Sequence, residues 1–260
     1  MTSLLIIGEI GNGKSTLGNE LLGYNAFKVS NDTEPGTNAI IGKEGIKDNL
    51  FVIDTPGVTN IVENENNMYQ LIECLKQNKK LNAILLIFNY QQTLFSPDIK
   101  TLIKLLYTIF PKKNIDKHIA LIFTNSFTKR GAVSHEQKIA KINKILPEYK
   151  KCIEEVTGIK VGNFVFGFVD IDQEEGIDEN GKMDLERIIK WASSLDNLCD
   201  EYKNKITKYE YLELKDENEK LKEEIDRIKI DMVFKEKKYE KEFEIIKNEI
   251  SELKNKLNQH

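Results

Sequence analysis

The stretch Ser3-Leu4-Leu5-Ile6-Ile7-Gly8-Glu9-Ile10-Gly11-Asn12-Gly13-Lys14-Ser15-Thr16 decides how this chain is read. A short apolar run leads into Gly8, four residues follow, and Gly13-Lys14-Ser15 opens a helix-like segment reaching Leu22. Strand, G-x-x-x-x-G-K-[ST] loop and helix, in that order, form the phosphate-binding P-loop pattern. Glycines let consecutive backbone N–H groups turn inward around a phosphate, where side chains would block the approach. The helix behind the loop aims its unpaired N–H groups and its positive dipole end at the same phosphate. On this reading residues Gly8, Glu9, Ile10, Gly11, Asn12, Gly13, Lys14, Ser15 and Thr16 surround the phosphates. Lys14 reaches the β- and γ-phosphates as a catalytic group, and the Ser15 hydroxyl ligates Mg²⁺. The alternative is a chance glycine-rich turn between a strand and a helix, which the ordered context disfavours. A nucleoside triphosphate is the expected ligand.

The chain has 260 residues, 40% hydrophobic and 31% charged, so it could hold one large domain or one domain plus an extension. A net charge of −4 gives no long-range pull toward nucleic acid or anionic membrane. Cys74, Cys152 and Cys199 lie far apart without metal-ligand spacing and read as reduced thiols of a cytoplasmic protein. His118, His135 and His260 do not cluster with cysteines or carboxylates, so no zinc site is expected. No signal peptide is expected before Ser3, and no window approaches the roughly 18 apolar residues of a membrane span. The final residues, Leu257-Asn258-Gln259-His260, do not form a lipidation box.

Downstream of the first helix, Tyr24 to Asn38 reads as a long polar loop. Short strands are predicted at Ala39–Gly42 and Leu50–Asp54, then a second polar loop at Val58–Asn67 and a helix over Met68–Lys79. Asn82–Asn89 is a continuous apolar run, as expected of a strand buried on both faces. A helix starts at Pro97 and stops before Pro111, and His118–Thr124 is the next buried strand. A further helix begins at Ser134, with Gln137 as capping-box partner and Pro147 kinking or dividing it. Val161–Ile171 reads as the last strand and Leu185–Leu198 as the last helix, with Trp191 as a core residue. This alternation predicts an α/β fold with a mostly parallel sheet and helices on both faces. Residues 1–199 form that domain, and residues 200–260 a helical extension.

From about Tyr202 the chain is rich in Glu, Lys and Asn and lacks Gly and Pro. Apolar residues recur at Leu214, Leu221, Ile225, Ile228 and Met232, then at Tyr239, Phe243, Ile246, Ile250, Leu253 and Leu257. Steps of three and four make a heptad seam, with Asn218 and Lys235 in it and a register break between Tyr239 and Phe243. A coiled coil that self-associates or docks a protein partner is one reading. A long helix folded back on the globular domain is the other.

Asp54-Thr55-Pro56-Gly57, at the end of a strand about 40 residues after the P-loop, supplies the second half of the site. The Asp54 carboxylate can hold Mg²⁺, and the Gly57 N–H can meet the γ-phosphate. Thr37, on the mobile loop, could ligate Mg²⁺ only while that phosphate is present, with Thr33 as the alternative.

These residues resemble the GIMAP or immunity-associated nucleotide-binding (AIG-type) family, in the septin-like and Toc-like group of P-loop GTPases. The resemblance covers about Ser3 to Leu198. It rests on Gly8–Ser15, on Phe27 with Thr37 ten residues on, on Asp54–Gly57, and on Ala83–Phe110, which looks like the family's own box. It implies GTP and GDP as ligands with Mg²⁺, and a nucleotide-dependent homodimer. Ala120–Thr124 would lead to the base-recognition loop, where Thr124 and Asn125 contact the base. Relatives usually read Thr-basic-x-Asp there, and this chain reads Thr124-Asn125-Ser126-Phe127. Asp170 or Asp172 could supply a substitute carboxylate. The hydrolytic machinery is thin as well. Val58 follows Gly57, Leu94 falls about where some relatives carry an arginine, and Arg130 is the sole candidate finger. Slow GTPase turnover is therefore expected.

The favoured reading is a nucleotide-controlled switch that dimerises through its nucleotide-binding domain. The runner-up is a catalytically weak nucleotide-binding scaffold working through its coil. A third, motivated by Phe127, is an ATPase. A membrane role is implied only by relatives, so a cytoplasmic protein, at most peripheral to a membrane, is expected.

Overall fold

The computed structural model describes residues 1–29, 39–46, 49–77, 80–92, 95–110, 115–126, 133–172 and 176–201, with scattered helical positions between 220 and 247. The chain divides into two compact units, Met1–Leu214 and Lys215–His260.

The first unit is built on a six-stranded sheet. Strand β1 (Thr2–Gly8) pairs in parallel with β3 (Leu50–Asp54) on one side and with β4 (Ala83–Asn89) on the other. Beyond β4 lie β5 (Ile119–Thr124) and β6 (Val165–Phe168), both parallel, while β2 (Ile41–Glu44) closes the opposite edge antiparallel to β3. The order is therefore β2-β3-β1-β4-β5-β6. Every residue of β1 and β5 is buried, because both faces are covered.

Helices α1 (Lys14–Leu22) and α6 (Glu179–Ser193) cover one face, with Leu17, Leu21, Leu22, Leu185, Ile188 and Ala192 packed on β1, β4 and β5. Trp191 packs at the margin of that cluster, as a core residue should. The other face carries α2 (Val58–Glu63), α3 (Glu65–Gln77), α4 (Pro97–Ile109) and α5 (His135–Thr157). Helices on both faces of a mostly parallel sheet agree with the sequence pattern. The sheet's C-terminal ends carry the loops after β1, β3, β5 and β6, where a ligand crevice forms in such folds.

Local differences have physical causes. The stretch after Gly57 is helical rather than a loop, since Val58, Ile61 and Val62 bury one side of α2. Helix α5 keeps its predicted start, with Ser134 and Gln137 capping each other, and continues through Pro147 to Thr157. The last strand is only Val165–Phe168, and a small hairpin of β7 (Ile171–Asp172) and β8 (Gly176–Ile177) follows it. Among the described residues, no helix is long and apolar enough to cross a membrane.

Candidate functional site

The P-loop joins β1 to α1 at the centre of the sheet. Gly11 and Gly13 have φ of 80° and 79°, a left-handed conformation that side-chain-bearing residues rarely adopt. This lets the chain curl and start α1 directly at Lys14, with Gly13 as its N-cap. No side chain caps that end, so the first-turn N–H groups of α1 are available to an anion. Asn12 braces the loop from below, its Nδ2 donating to the Ile87 carbonyl at 2.9 Å.

Lys14 is buried and folds over the loop, Nζ donating to the Glu9 carbonyl at 2.9 Å. Burial pulls its ammonium pKa down to about 8, outweighing the opposing pull of Asp54 and Glu9. Because that pKa lies below the unfolded lysine value, this group's contribution to stability rises with pH from about 8 upward. A polyphosphate beside Lys14 would restore the charged form. Calorimetry in buffers of different ionisation enthalpy should therefore show proton uptake on nucleotide binding at about pH 8.5 and none near pH 6.5. Affinity should fall as pH rises past about 8.

Ser15 Oγ donates to Asp54 Oδ2 at 2.7 Å, bringing together two of the three predicted Mg²⁺ ligands from the start of α1 and the end of β3. A hydroxyl and a carboxylate oxygen are the hard donors Mg²⁺ prefers, so these residues fit such an ion. Thr55 tethers the same corner, its hydroxyl donating to the Ile6 carbonyl at 2.8 Å. Gly57, at the start of α2, lies against the P-loop. A Cβ there would sit 2.2 Å from Ile10 Cγ1, so only glycine fits without displacing Ile10. Thr16 is half-buried in the first turn of α1. Thr37 and Thr33 lie outside the described residues. Before that loop, Asn19 holds the chain by accepting from Ala26 and Phe27 N–H and donating to the Phe27 carbonyl at 2.9 Å.

On the base side, Thr124 Oγ1 lies 3.0 Å from the Asn12 carbonyl and 3.2 Å from that of Phe88. Its hydroxyl ties the loop after β5 to the P-loop. Asn125 is exposed in a left-handed conformation with φ 54°. Phe127, Arg130 and Leu94 lie outside the described residues. Asp170 is turned inward, one oxygen accepting the Ser126 N–H at 2.7 Å and the other the Ser126 hydroxyl. Lys138, from α5, donates to Ser126 Oγ at 2.6 Å and lies 3.6 Å from Asp170 Oδ2. This buried trio borders a cavity of about 250 Å³, lined also by Val133, Phe168 and Gly181.

A second network was not evident from the sequence. Glu9 reaches out of the P-loop to Ser96 Oγ at 2.5 Å, and the same Ser96 hydroxyl caps α4 by accepting from the Ile99 N–H. Thr59 of α2 donates to Asp98 at 2.8 Å and lies 3.4 Å from Glu9. The phosphate loop, the helix after Gly57 and the start of α4 are thereby joined through side chains. Its only sequence signal is Ser96-Pro97-Asp98, a helix-capping pattern whose hydroxyl has a second lone partner to find.

The sheet order and the loop on β1 define a P-loop GTPase-type domain. The fold superposes on Toc33 from Arabidopsis thaliana solved with Mg²⁺ and GMPPNP, with a TM-score of 0.55 at 18% identity, over 75% of this chain and 86% of that one. A structure from work on dimerization and GTPase activity of the chloroplast translocon components atToc33 and psToc159 gives a TM-score of 0.57 at 17% identity, over 75% and 84%. Residues 2–152 match the AIG1 family, and the chain belongs to that family. Immune-associated nucleotide-binding protein 12 of Arabidopsis thaliana is 31% identical over 128 residues, covering 47% of this chain. That match spans 32% of the plant relative's length.

Proposed function

We propose that this protein binds GTP and GDP with Mg²⁺, hydrolyses GTP slowly, and acts as a nucleotide-controlled switch that dimerises through its nucleotide-binding domain. The observation that carries the reading is the Ser15–Asp54 contact at 2.7 Å beside a buried Lys14 and an uncapped helix start. Lys14 would exchange the Glu9 carbonyl for the β- and γ-phosphates, while the α1 amides hold the phosphate oxygens. Ser15 and Asp54, with Thr37 from the preceding loop, would hold the metal. A bound Mg²⁺ would neutralise charge developing on the phosphates. The Gly57 N–H would meet the γ-phosphate, and moving Gly57 must displace Ile10 and α2. Through Thr59 and Asp98 that displacement would reach α4. The named relatives support the ligand class: one is called nucleotide-binding, and the Toc33 neighbour was solved with Mg²⁺ and a nucleotide analogue. The dimer reading draws on the neighbour for which dimerization is reported as important for GTPase activity. Cytoplasmic work fits the chain, with any membrane association running through the C-terminal helix or another protein.

Slow turnover follows from the residue after Gly57. Val58 is fully buried in the core and offers nothing to an attacking water. Orienting groups and arginine fingers supply about 10³–10⁵ in rate. The isolated protein should therefore turn over GTP on the order of once per minute or slower. A phosphate-release assay several-fold faster would sink this part of the reading.

The scaffold reading retains one specific support. Asp170, a candidate to replace the missing base-reading carboxylate, already accepts from Ser126 through both oxygens. On the ATPase reading, in which no other group reads guanine, ATP should compete with GTP at equal concentration.

A further inference from the structure

We propose that the Glu9 carboxylate sets the balance between nucleoside diphosphate and triphosphate at this site, disfavouring the triphosphate. The inference rests on the nucleotide site proposed above and names the side chain that biases it. Two neighbours place the carboxylate at the end where a γ-phosphate would lie. Its Oε2 is 3.4 Å from Thr59 Oγ1, two residues past Gly57 in the chain. The Lys14 ammonium, bonded to the Glu9 carbonyl at 2.9 Å, is drawn toward its charged form by Asp54 and by that same carboxylate. On the far side, Glu9 Oε1 accepts from Ser96 Oγ at 2.5 Å, so the side chain is held in place from both directions.

The partners of this carboxylate fix it without cancelling its charge. Its hydrogen-bond partners among the described residues are the hydroxyls of Ser96 and Thr59. The start of α4, capped by Ser96, attracts a carboxylate through its positive dipole end and keeps it there. Asp98 brings a second carboxylate to the same Thr59 hydroxyl, 2.8 Å away, so the negative field at this corner is doubled. The one cation that acts on Glu9 is Lys14, and a polyphosphate would draw on the same ammonium. A β-phosphate meets the free amides of α1 and Lys14. A γ-phosphate adds its charge on the side that faces Glu9, where like charges several ångströms apart repel. Glutamine at position 9 would keep both contacts. Its carbonyl oxygen can accept from Ser96, and its amide can donate to Thr59, whose own proton already goes to Asp98. Charge can therefore be removed there without changing shape.

The test is calorimetric titration of the full chain with GDP and with GMPPNP, both with Mg²⁺, in the parent, in Glu9→Gln and in Glu9→Ala. Glu9→Gln should raise the affinity for GMPPNP relative to that for GDP by about tenfold. Glu9→Ala, which also loses the hydrogen bonds, should move the ratio in the same direction. A purely structural role would lower both affinities together and leave the ratio where it stands. The gap between the parent and Glu9→Gln should narrow as salt is raised from about 0.05 to about 0.5 M, because screening weakens the repulsion. A ratio within about twofold of the parent's in both variants, or a gap indifferent to salt, would overturn the proposal. If the parent binds both nucleotides and the ratio stays fixed, this inference alone falls. A parent that binds neither overturns the nucleotide site and the inference with it.

Discussion

Lys14→Ala should lower affinity for Mg²⁺-nucleotide by at least about 100-fold while leaving the fold intact. The ammonium would make charge-assisted contacts to the phosphates worth together about 3 kcal/mol, and each 1.4 kcal/mol is tenfold in affinity. No other lysine stands in the loop. The cost to the nucleotide-free protein should be small. Lys14 is buried with a pKa lowered to about 8, so its charge is held against a desolvation penalty that the substitution removes. Against that stand its bond to the Glu9 carbonyl and the attraction of Asp54 and Glu9, which together do not offset the desolvation penalty. Thermal unfolding without nucleotide should thus be unchanged or slightly raised, and the stabilisation that nucleotide gives the parent should vanish. A variant that binds as tightly as the parent would show that phosphate is held elsewhere.

Asp170→Ala should be the most damaging substitution for stability on the base side. It takes from Lys138 the carboxylate 3.6 Å away, and the side chains of Lys138 and Asp170 are only 11% and 5% exposed. Removing one partner of a buried pair costs about 3 kcal/mol or more. In a domain of this size that lowers the melting temperature by roughly 6–12 °C. Ser126 also loses both contacts that fix its backbone, so Asn125 beside it should lose its defined conformation. Replacing the pair together, Lys138→Met with Asp170→Leu, should recover much of the stability, because no charge is then left buried. Calorimetry of the three proteins checks this. A loss below about 1 kcal/mol for Asp170→Ala would mean that the buried pair does not hold this corner together.

The fold was legible where local chemistry and burial agree. The runs Leu4–Ile7, Ala83–Phe88 and Ile119–Phe123 are apolar throughout because helices cover both faces of those strands. Glycine spacing and Lys14-Ser15 declared the phosphate loop, and the Ser134–Gln137 box declared the start of α5. The misread segments are those where polar residues crowd a short buried stripe. In α2 and the start of α3, asparagines and glutamates surround Val58, Ile61 and Val62, and the density of polar residues resembles a loop. The last strand is shorter than its apolar pattern because Asp170 turns inward to Ser126.

Contacts between distant elements left weaker traces. Lys138 lies four residues before Ile142, on the same α5 stripe as Tyr149 and Ile153. A lysine on an apolar face asks for a buried counter-charge, but the sequence does not name Asp170 as that partner. Glu9 could be placed in the phosphate loop, yet its reach to Ser96 and Thr59 depends on how α2 and α4 pack.

The measurement closest to the central claim is equilibrium binding of GTP, GDP, ATP and ADP to the purified chain with Mg²⁺, with Lys14→Ala in parallel. The account predicts binding of GTP and GDP that is lost in the variant and weakened when Mg²⁺ is withdrawn. Folded parent protein that binds none of the four would contradict it.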